Sequence, residues 1–318
     1  MKEIIAPIHK DILMAELANN KFVRETNNGQ NVIYIITHQD SPNVMQEIGR
    51  LREVTFRAAG GGTGKEVDID EFDISATPYK QLIVWSPEYN EIVGGYRYIK
   101  CAEAVGNSGQ INLATTELFE FSENFKKNYL PHTIELGRSF VQPKFQPSSE
   151  NRKGLFSLDN LWDGLGALVI DNPEIKYFYG KVTMYTDFNV EARDMILSFM
   201  QYYFPDKEKL VWPHNPVHLK NNMNVFLNSL KNLNYKDGHH VLNKNVRALG
   251  ENIPPLVNSY MNLSATMKTF GTAINTHFGE VEETGILVTI SDIYDTKKAR
   301  HVSSYVPFDS ARGTPSNP

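Results

Sequence analysis

Within residues 132–145, HTIELGRSFVQPKF, the charged Glu135 and Arg138 interrupt a run of strand formers. Charges in so apolar a stretch are costly unless they are paired or used. On a regular strand Glu135, Gly137 and Ser139 share one face, and Arg138 points to the other. Two readings stay open: a Glu–Arg pair that ties the strand to its neighbours, or working groups presented on its surface. The polar segment QPSSENRKG (146–154) then precedes a run with apolar residues at Leu158, Leu161, Trp162, Leu165, Leu168 and Val169, the spacing of a helix. A strand feeding a helix through such a loop leaves free N–H groups of the first turn facing the loop, where an anion can settle. Arg152 and Lys153 would add charge, the helix dipole about 0.3 to 1 kcal/mol, and Gly154 close backbone approach. The same residues would also serve as an ordinary solvated loop.

Other patterns fail on spacing. Gly60-Gly61-Gly62-Thr63-Gly64-Lys65 has Ala59 where a phosphate loop carries its first glycine and Glu66 where it carries Ser or Thr, so it reads as a mobile loop. Asp68, Asp70 and Asp73 break the D-x-D-x-D-G order of a calcium loop and read as a solvated acidic loop. The histidines show no metal spacing, so no metal site is expected. Cys101 is the single cysteine and reads as a small buried hydrophobe.

The elements that must position these residues form an α/β (α+β) set. Residues 8–20 read as a helix, 21–37 as a hairpin turning at Asn27-Asn28-Gly29, and 42–58 as a helix opened by Ser41 and Pro42. Residues 81–85 and 91–100 form a second hairpin, in which Gly94-Gly95 marks a bulge or a close backbone approach. Residues 116–127 read as a short helix, 176–185 as a strand, 189–204 as a helix stopped by Pro205, 256–263 as a helix and 285–294 as a strand. A net charge of −5 argues against non-specific nucleic-acid binding. No apolar run approaches the roughly 20 residues that span a bilayer, and the N-terminus lacks the apolar core of a signal peptide, which points to the cytoplasm.

The motifs Glu135-Leu136-Gly137-Arg138-Ser139-Phe140-Val141, Leu161-Trp162-Asp163-Gly164-Leu165 and Tyr177-Phe178-Tyr179-Gly180-Lys181-Val182 come in a fixed order, after Leu51-Arg52 with Phe56, the acidic run 66–73, and Val93-Gly94-Gly95-Tyr96-Arg97. In that order they resemble the GNAT-like N-acyltransferases that make lyso-ornithine and lyso-glycine lipids, often labelled hemolysins, and more distantly the acyl-homoserine-lactone synthases. The resemblance covers roughly residues 30–205. It implies a GNAT-like mixed sheet, splayed at its middle strands and flanked by helices, with a C-terminal extension. The implied division is an acyltransferase core over 1–205, a polar insertion or linking segment over 206–251, a helix and strand completing the fold over 252–308, and a disordered tail over 309–318.

The implied reaction is attack of an amino acid's α-amine on an acyl thioester. A protonated amine must first lose a proton, and Glu135 is the first choice of base, with Asp70 or Asp73 as the alternative. The resemblance places Arg138 and Ser139 beside Glu135 as catalytic residues. A backbone amide near Phe140 or Val141 would hold the oxyanion. Arg52, Arg97 and Arg138 suit the acceptor's carboxylate, with Asp70 and Asp73 facing its amine. Phe140, Val141, Arg152, Lys153, Gly154 and Leu155 would hold the donor. The loop has only Gly154 of the usual R-x-x-G-x-G/A pattern, which favours the single phosphate of a phosphopantetheine on acyl carrier protein over acyl-CoA. The expected enzyme needs no covalently bound cofactor and works with acyl carrier protein, an amino acid (glycine or ornithine) and a long, 3-hydroxylated acyl chain, with peripheral contact at the inner membrane face. The alternatives are a lactone-forming signal synthase and a GNAT-fold protein that binds acyl carrier protein or an acyl chain without turnover.

Overall fold

The computed structural model describes residues 1–17, 21–147, 154, 156–309 and 314–315. The chain begins with α1 (Lys10–Glu16), the hairpin of β1 (Phe22–Glu25) and β2 (Val32–Ile36), the long α2 (Pro42–Ala58) and the one-turn α3 (Glu71–Ile74). β3 (Lys80–Ser86) and β4 (Glu91–Lys100) form the second hairpin; β5 (Phe119–Phe121), β6 (Thr133–Val141) and α4 (Ser157–Asp171) follow. Then come β7 (Tyr177–Met184), α5 (Val190–Tyr203), β8 (Val211–Pro213), α6 (Asn224–Leu230) and α7 (Tyr235–Ala248). α8 (Pro255–Met261), β9 (Lys268–Asn275), β10 (Val281–Thr289), α9 (Asp295–His301) and the short antiparallel pair β11 (Phe308–Asp309) and β12 (Thr314–Pro315) complete the order. The chain divides into two compact units, one of residues 1–114, 132–176 and 294–318, the other of residues 115–131 and 177–293.

In the first unit β1, β2, β3, β4 and β6 pair in that order, every pair antiparallel. Gln81 meets Arg52 of α2, whereas Leu82, the next residue, lies where a Cβ on Gly164 of α4 would stand. Successive side chains of a strand point to opposite faces, so α2 and α4 cover the two sides of this sheet. Ile33, Leu82, Ile83, Val84, Ile48 and Leu51 are almost wholly buried between these layers, each contributing roughly 1.5 to 3 kcal/mol of hydrophobic stabilisation. Ser41 stands at the N-cap of α2, yet its hydroxyl turns to Asp40; Glu16 of α1 accepts from the Asn43 and Val44 amides, each at 2.9 Å. α9 lies against α4, where a Cβ on Gly166 would collide with the His301 carbonyl. Asp163 fixes the contact: it accepts from the Asn27 amide at 2.9 Å and lies 2.8 Å from His301 Nδ1.

In the second unit β10 pairs with β7 on one side and β9 on the other, both antiparallel. Phe121, Phe125, Tyr179 and Phe270 cluster with ring centroids 5.0 to 6.4 Å apart, the offset and edge-on packing that aromatic quadrupoles favour. The helix expected over 116–127 is instead β5 with short turns of tighter and wider helix on either side. The reason is visible in its alternation: Phe119 and Phe121 are buried, Glu120 is exposed, and the strand pairs with β8. Residues 206–251 hold β8, α6 and α7, and the polar stretch around Phe270 to Asn275, assigned no element from sequence, is β9. Of the expected tail, residues 310–313 and 316–318 lie outside the described residues.

Candidate active site

β6 carries a bulge at the motif that sequence singled out. Gly95 pairs with Phe140 and Arg97 with Gly137, so Arg138 and Ser139 together face the single Tyr96. Arg138 takes φ +50°, a left-handed conformation that costs a side-chain-bearing residue about 1 to 2 kcal/mol. Such conformations persist where the surroundings hold them, typically at working sites. β4 fits against this bulge because Gly94 has no side chain: a Cβ there would collide with the Phe140 carbonyl oxygen. Alternation is therefore regular only as far as Gly137, and Ser139 does not follow the face of Glu135 by simple parity. Ser139 is half-buried, Phe140 buried and Val141 half-buried.

The ions around Arg138 form one network. Arg138 Nε lies 2.9 Å from Asp68, and its Nη2 lies 3.6 Å from Asp70. Arg97 Nη1 reaches Asp70 at 2.6 Å and Asp73 at 3.2 Å. Arg52 Nη1 reaches Asp73 at 3.1 Å, and its Nη2 donates to Gln81. Three guanidinium groups thus face three carboxylates. Burial pushes the Asp73 carboxyl upward, but Arg52 and then Arg97 outweigh it and hold the group well below the usual carboxylate range. Burial lowers Arg52 against the opposing charges of Asp73 and Asp68. Arg52 is fully buried, whereas the side chains of Arg138 and Asp70 keep 14% and 23% of their surface exposed. The acidic run is consequently not a solvated loop: Asp68 and Asp73 are buried, and Asp70 also caps α3 through the Phe72 and Asp73 amides.

Glu135 has a partner outside that network. Its Oε1 accepts from the Tyr79 hydroxyl at 2.7 Å, and Tyr79 Oη in turn accepts from the Ala114 amide at 2.9 Å. Glu135 is 1% exposed. Burial, then the Glu135 charge, push the Tyr79 phenol well above its ordinary value, so it remains a proton donor in this pair. The Arg97 guanidinium lies over the Tyr79 ring, 5.0 Å from its centroid, and links the two sets.

Of the expected donor cradle, Arg152, Lys153 and Leu155 lie outside the described residues. Gly154 is buried where a Cβ would stand 2.6 Å from the Gln146 carbonyl oxygen, and Ser157, the first residue of α4, donates to the Phe145 carbonyl at 2.8 Å. The glycine-rich loop is tied to α2 by hydrogen bonds. The buried Glu53 carboxylate accepts from the Thr63 amide and hydroxyl and from the Gly64 amide, occupying those donors from within the chain. Among the described residues no group of three or more His, Cys, Asp or Glu is placed to hold a metal, and no helix is long and apolar enough to cross a membrane.

Sequence reasoning passed over Tyr79 and Gln81, whose partners lie 56 and 29 residues away. Their available signal was weak: two polar residues on alternate positions at the entrance of the apolar β3.

The Acetyltransferase (GNAT) domain family matches residues 51–152. The chain is 55% identical over 307 residues to a glycine N(alpha)-acyltransferase of Phocaeicola vulgatus, covering 96% of this chain and 94% of that protein. It is 53% identical to a glycine N(alpha)-acyltransferase of Bacteroides thetaiotaomicron, over 96% and 91% of the two chains. A solved structure, FeeM, an N-acyl amino acid synthase from uncultured soil microbes, covers 48% of this chain and 71% of its own at 14% identity and a TM-score of 0.30, too partial a superposition to bear weight. The GNAT domain match over the bulged strand, joined to near full-length relatives at 53% and 55% identity, places the chain in the GNAT-like N-acyltransferase family.

Proposed function

We propose that this protein transfers a long acyl chain, 3-hydroxylated in the reading the motifs favour, from the thioester of acyl carrier protein to the α-amine of glycine, a step of aminolipid synthesis. The observation that carries the acceptor is the 55% identity, over nearly the whole chain, with a relative named for glycine N-acylation.

The chemistry fits the geometry of the first unit. Glycine's ammonium first loses a proton; its nitrogen then attacks the thioester carbonyl carbon, forming the N–C bond and leaving an oxyanion. Glu135, buried and held by the neutral Tyr79, is the base that takes a proton from the nitrogen. Asp73 is a poor alternative, because its lowered pKa makes its carboxylate a weak proton acceptor at neutral pH. A backbone amide of the β6 bulge near Phe140 or Val141 stabilises the oxyanion, a role worth about a hundred- to a thousand-fold in rate. Collapse breaks the C–S bond, and the pantetheine thiol leaves with a proton from solvent. Arg138 and Asp70 keep the most exposed surface among the bulge network's arginines and aspartates, so Arg138 takes glycine's carboxylate and Asp70 faces its amine, with Arg52 and Arg97 as positioning residues. The donor's phosphate lies at the N-terminus of α4 beside Gly154.

The test is a lipid extract, analysed by mass spectrometry, from a host expressing this protein beside one expressing Glu135→Gln. A new N-acylglycine in the first extract alone supports the reading. Transfer by the purified protein from acyl-CoA but not from acyl carrier protein would remove the donor, and no acylated amine in either case would remove the function.

A further inference from the structure

The second unit carries its charge unevenly. Residues 221–250 contain the cations Lys231, Lys236, Lys244 and Arg247 and a single acid, Asp237, in a chain whose net charge is −5. Asp237 is engaged by the Asn234 side chain at 2.8 Å. All four cations are exposed, and among the described residues none lies within ion-pairing distance of a carboxylate. Elsewhere in the same unit cations are matched: Lys268 reaches Glu208 at 2.6 Å and Arg193 reaches Asp194 at 3.0 Å.

Helix geometry gathers these charges into a stripe. On α7, Gly238, Leu242 and Val246 recur every fourth residue and are buried, with Gly238 so close to α5 that a Cβ there would collide with the Tyr203 hydroxyl. Lys236, His240 and Lys244 follow the same spacing about half a turn away, and Arg247 extends their row, so the stripe points away from the core. The helices that carry it lie on one side of the sheet. Gly285 of β10 lies under Phe119, whereas its neighbour Thr284 shares a cavity with Leu197 and Ser198 of α5. Residues 115–131 therefore cover one face, and α5, with α6 and α7 packed against it, covers the other.

The same helical layer turns apolar side chains outward. α6 buries Phe226 and Leu230 but leaves Val225 83% exposed, the most exposed large hydrophobic side chain among the described residues after Met1. Leu219, just before α6, and Tyr202 of α5 keep 45% and 42% of their surface in solvent. Unmatched cations beside protruding apolar groups complement a surface of anionic headgroups over hydrocarbon. Nucleic acid would match the charge and leave Val225 in water.

We propose that the α6–α7 surface docks on an anionic lipid bilayer, with Lys231, Lys236, Lys244 and Arg247 against the headgroups and Val225 entering the interface. The probe is a vesicle of phosphatidylcholine with about a third phosphatidylglycerol, and binding of the full-length protein is read by flotation. Binding is expected to these vesicles, to weaken as salt rises, and to be far weaker on phosphatidylcholine alone. Lys244→Gln should weaken it about five-fold and the triple variant Lys236→Gln, Lys244→Gln, Arg247→Gln about a hundred-fold, whereas Lys127→Gln, on the other side of the sheet, should leave it unchanged. Val225→Ser should cost about three- to ten-fold. Thermal melts followed by circular dichroism confirm that each variant is folded. No binding by the parent protein, or undiminished binding by the triple variant or by Val225→Ser, would overturn the proposal. So would a parent protein that ignores vesicles but binds acyl carrier protein through the same cations, which would assign the stripe to an acidic protein. Acyl transfer does not enter the readout, so a failed transferase assay leaves this test intact.

Discussion

The Tyr79 hydroxyl joins Glu135 to the Ala114 amide, donating to the carboxylate at 2.7 Å and accepting at 2.9 Å. A buried carboxylate is thereby kept in one orientation by a group that cannot itself ionise near neutral pH. Glu135→Gln should lower kcat by about a hundred- to ten-thousand-fold with an unchanged melting curve. Tyr79→Phe should lose less, about ten-fold, and move the acid limb of the pH–rate profile to higher pH, because removing a donor to the carboxylate favours its neutral form. Steady-state kinetics across pH check both.

Arg52 and Asp73 are each fully buried and 3.1 Å apart. Arg52→Met leaves a buried carboxylate short of its partner, a change expected to cost about 3 to 5 kcal/mol. Urea unfolding would show it as an early midpoint; an unchanged midpoint would mean that Arg97 alone suffices for Asp73.

Asp73 also sets an acid limit. Its folded pKa lies below its unfolded value of about 3.9, so the group stabilises the fold fully above that pH and the contribution is lost as pH falls through the folded value. Stability measured from neutrality downward should decline with a steeper slope below about pH 4 in the parent protein than in Asp73→Asn, which starts weaker and has no such proton to take up.

Arg138 separates strain from function. Arg138→Gly and Arg138→Ala both remove the contact to Asp68 and should both abolish the proposed transfer to glycine. At φ +50° the glycine variant avoids the Cβ penalty and should be the more stable by about 1 kcal/mol in denaturant titrations. Equal stability would show that the bulge relaxes once the guanidinium is gone.

The contrast between α2 and β9 shows where the sequence could be read. Pro42 and the apolar stripe of α2 sit next to one another in the chain, and the helix runs over the residues that pattern marks. Gly94-Gly95 announced a bulge, and the register slips there twice: Val93 is the extra residue against β3, and Arg138 with Ser139 against β4. β9 mixes threonine, glycine and asparagine with its apolar residues, and its left-handed Gly271 breaks the alternation that would have revealed a strand. At the site, the residue types were legible but the partnerships were not. Glu135 and Arg138 drew attention as costly charges; that one answers to Tyr79 and the other to Asp68 is a matter of sheet order, set over separations of 56 and 70 residues. The acidic run and the glycine-rich loop misled for one reason. Their counter-charges, Arg52, Arg97 and Glu53, come from α2 and β4, and local composition without those partners looks like solvent-facing loop.

The seating of α9 on α4 has a consequence for synthesis. Residues 294–301 emerge from the ribosome after all of residues 177–293, at roughly 5 to 20 residues per second. Until they arrive, Gly166 has no His301 carbonyl against it, and Asp163 holds only the Asn27 side of its bridge. The unit that carries Glu135 and Arg138 is therefore begun first and closed last, while residues 177–293 are complete before it. A nascent chain stalled near residue 290 would hold the proposed catalytic residues on a sheet whose covering helix, α4, still has its α9 face open to chaperones and proteases.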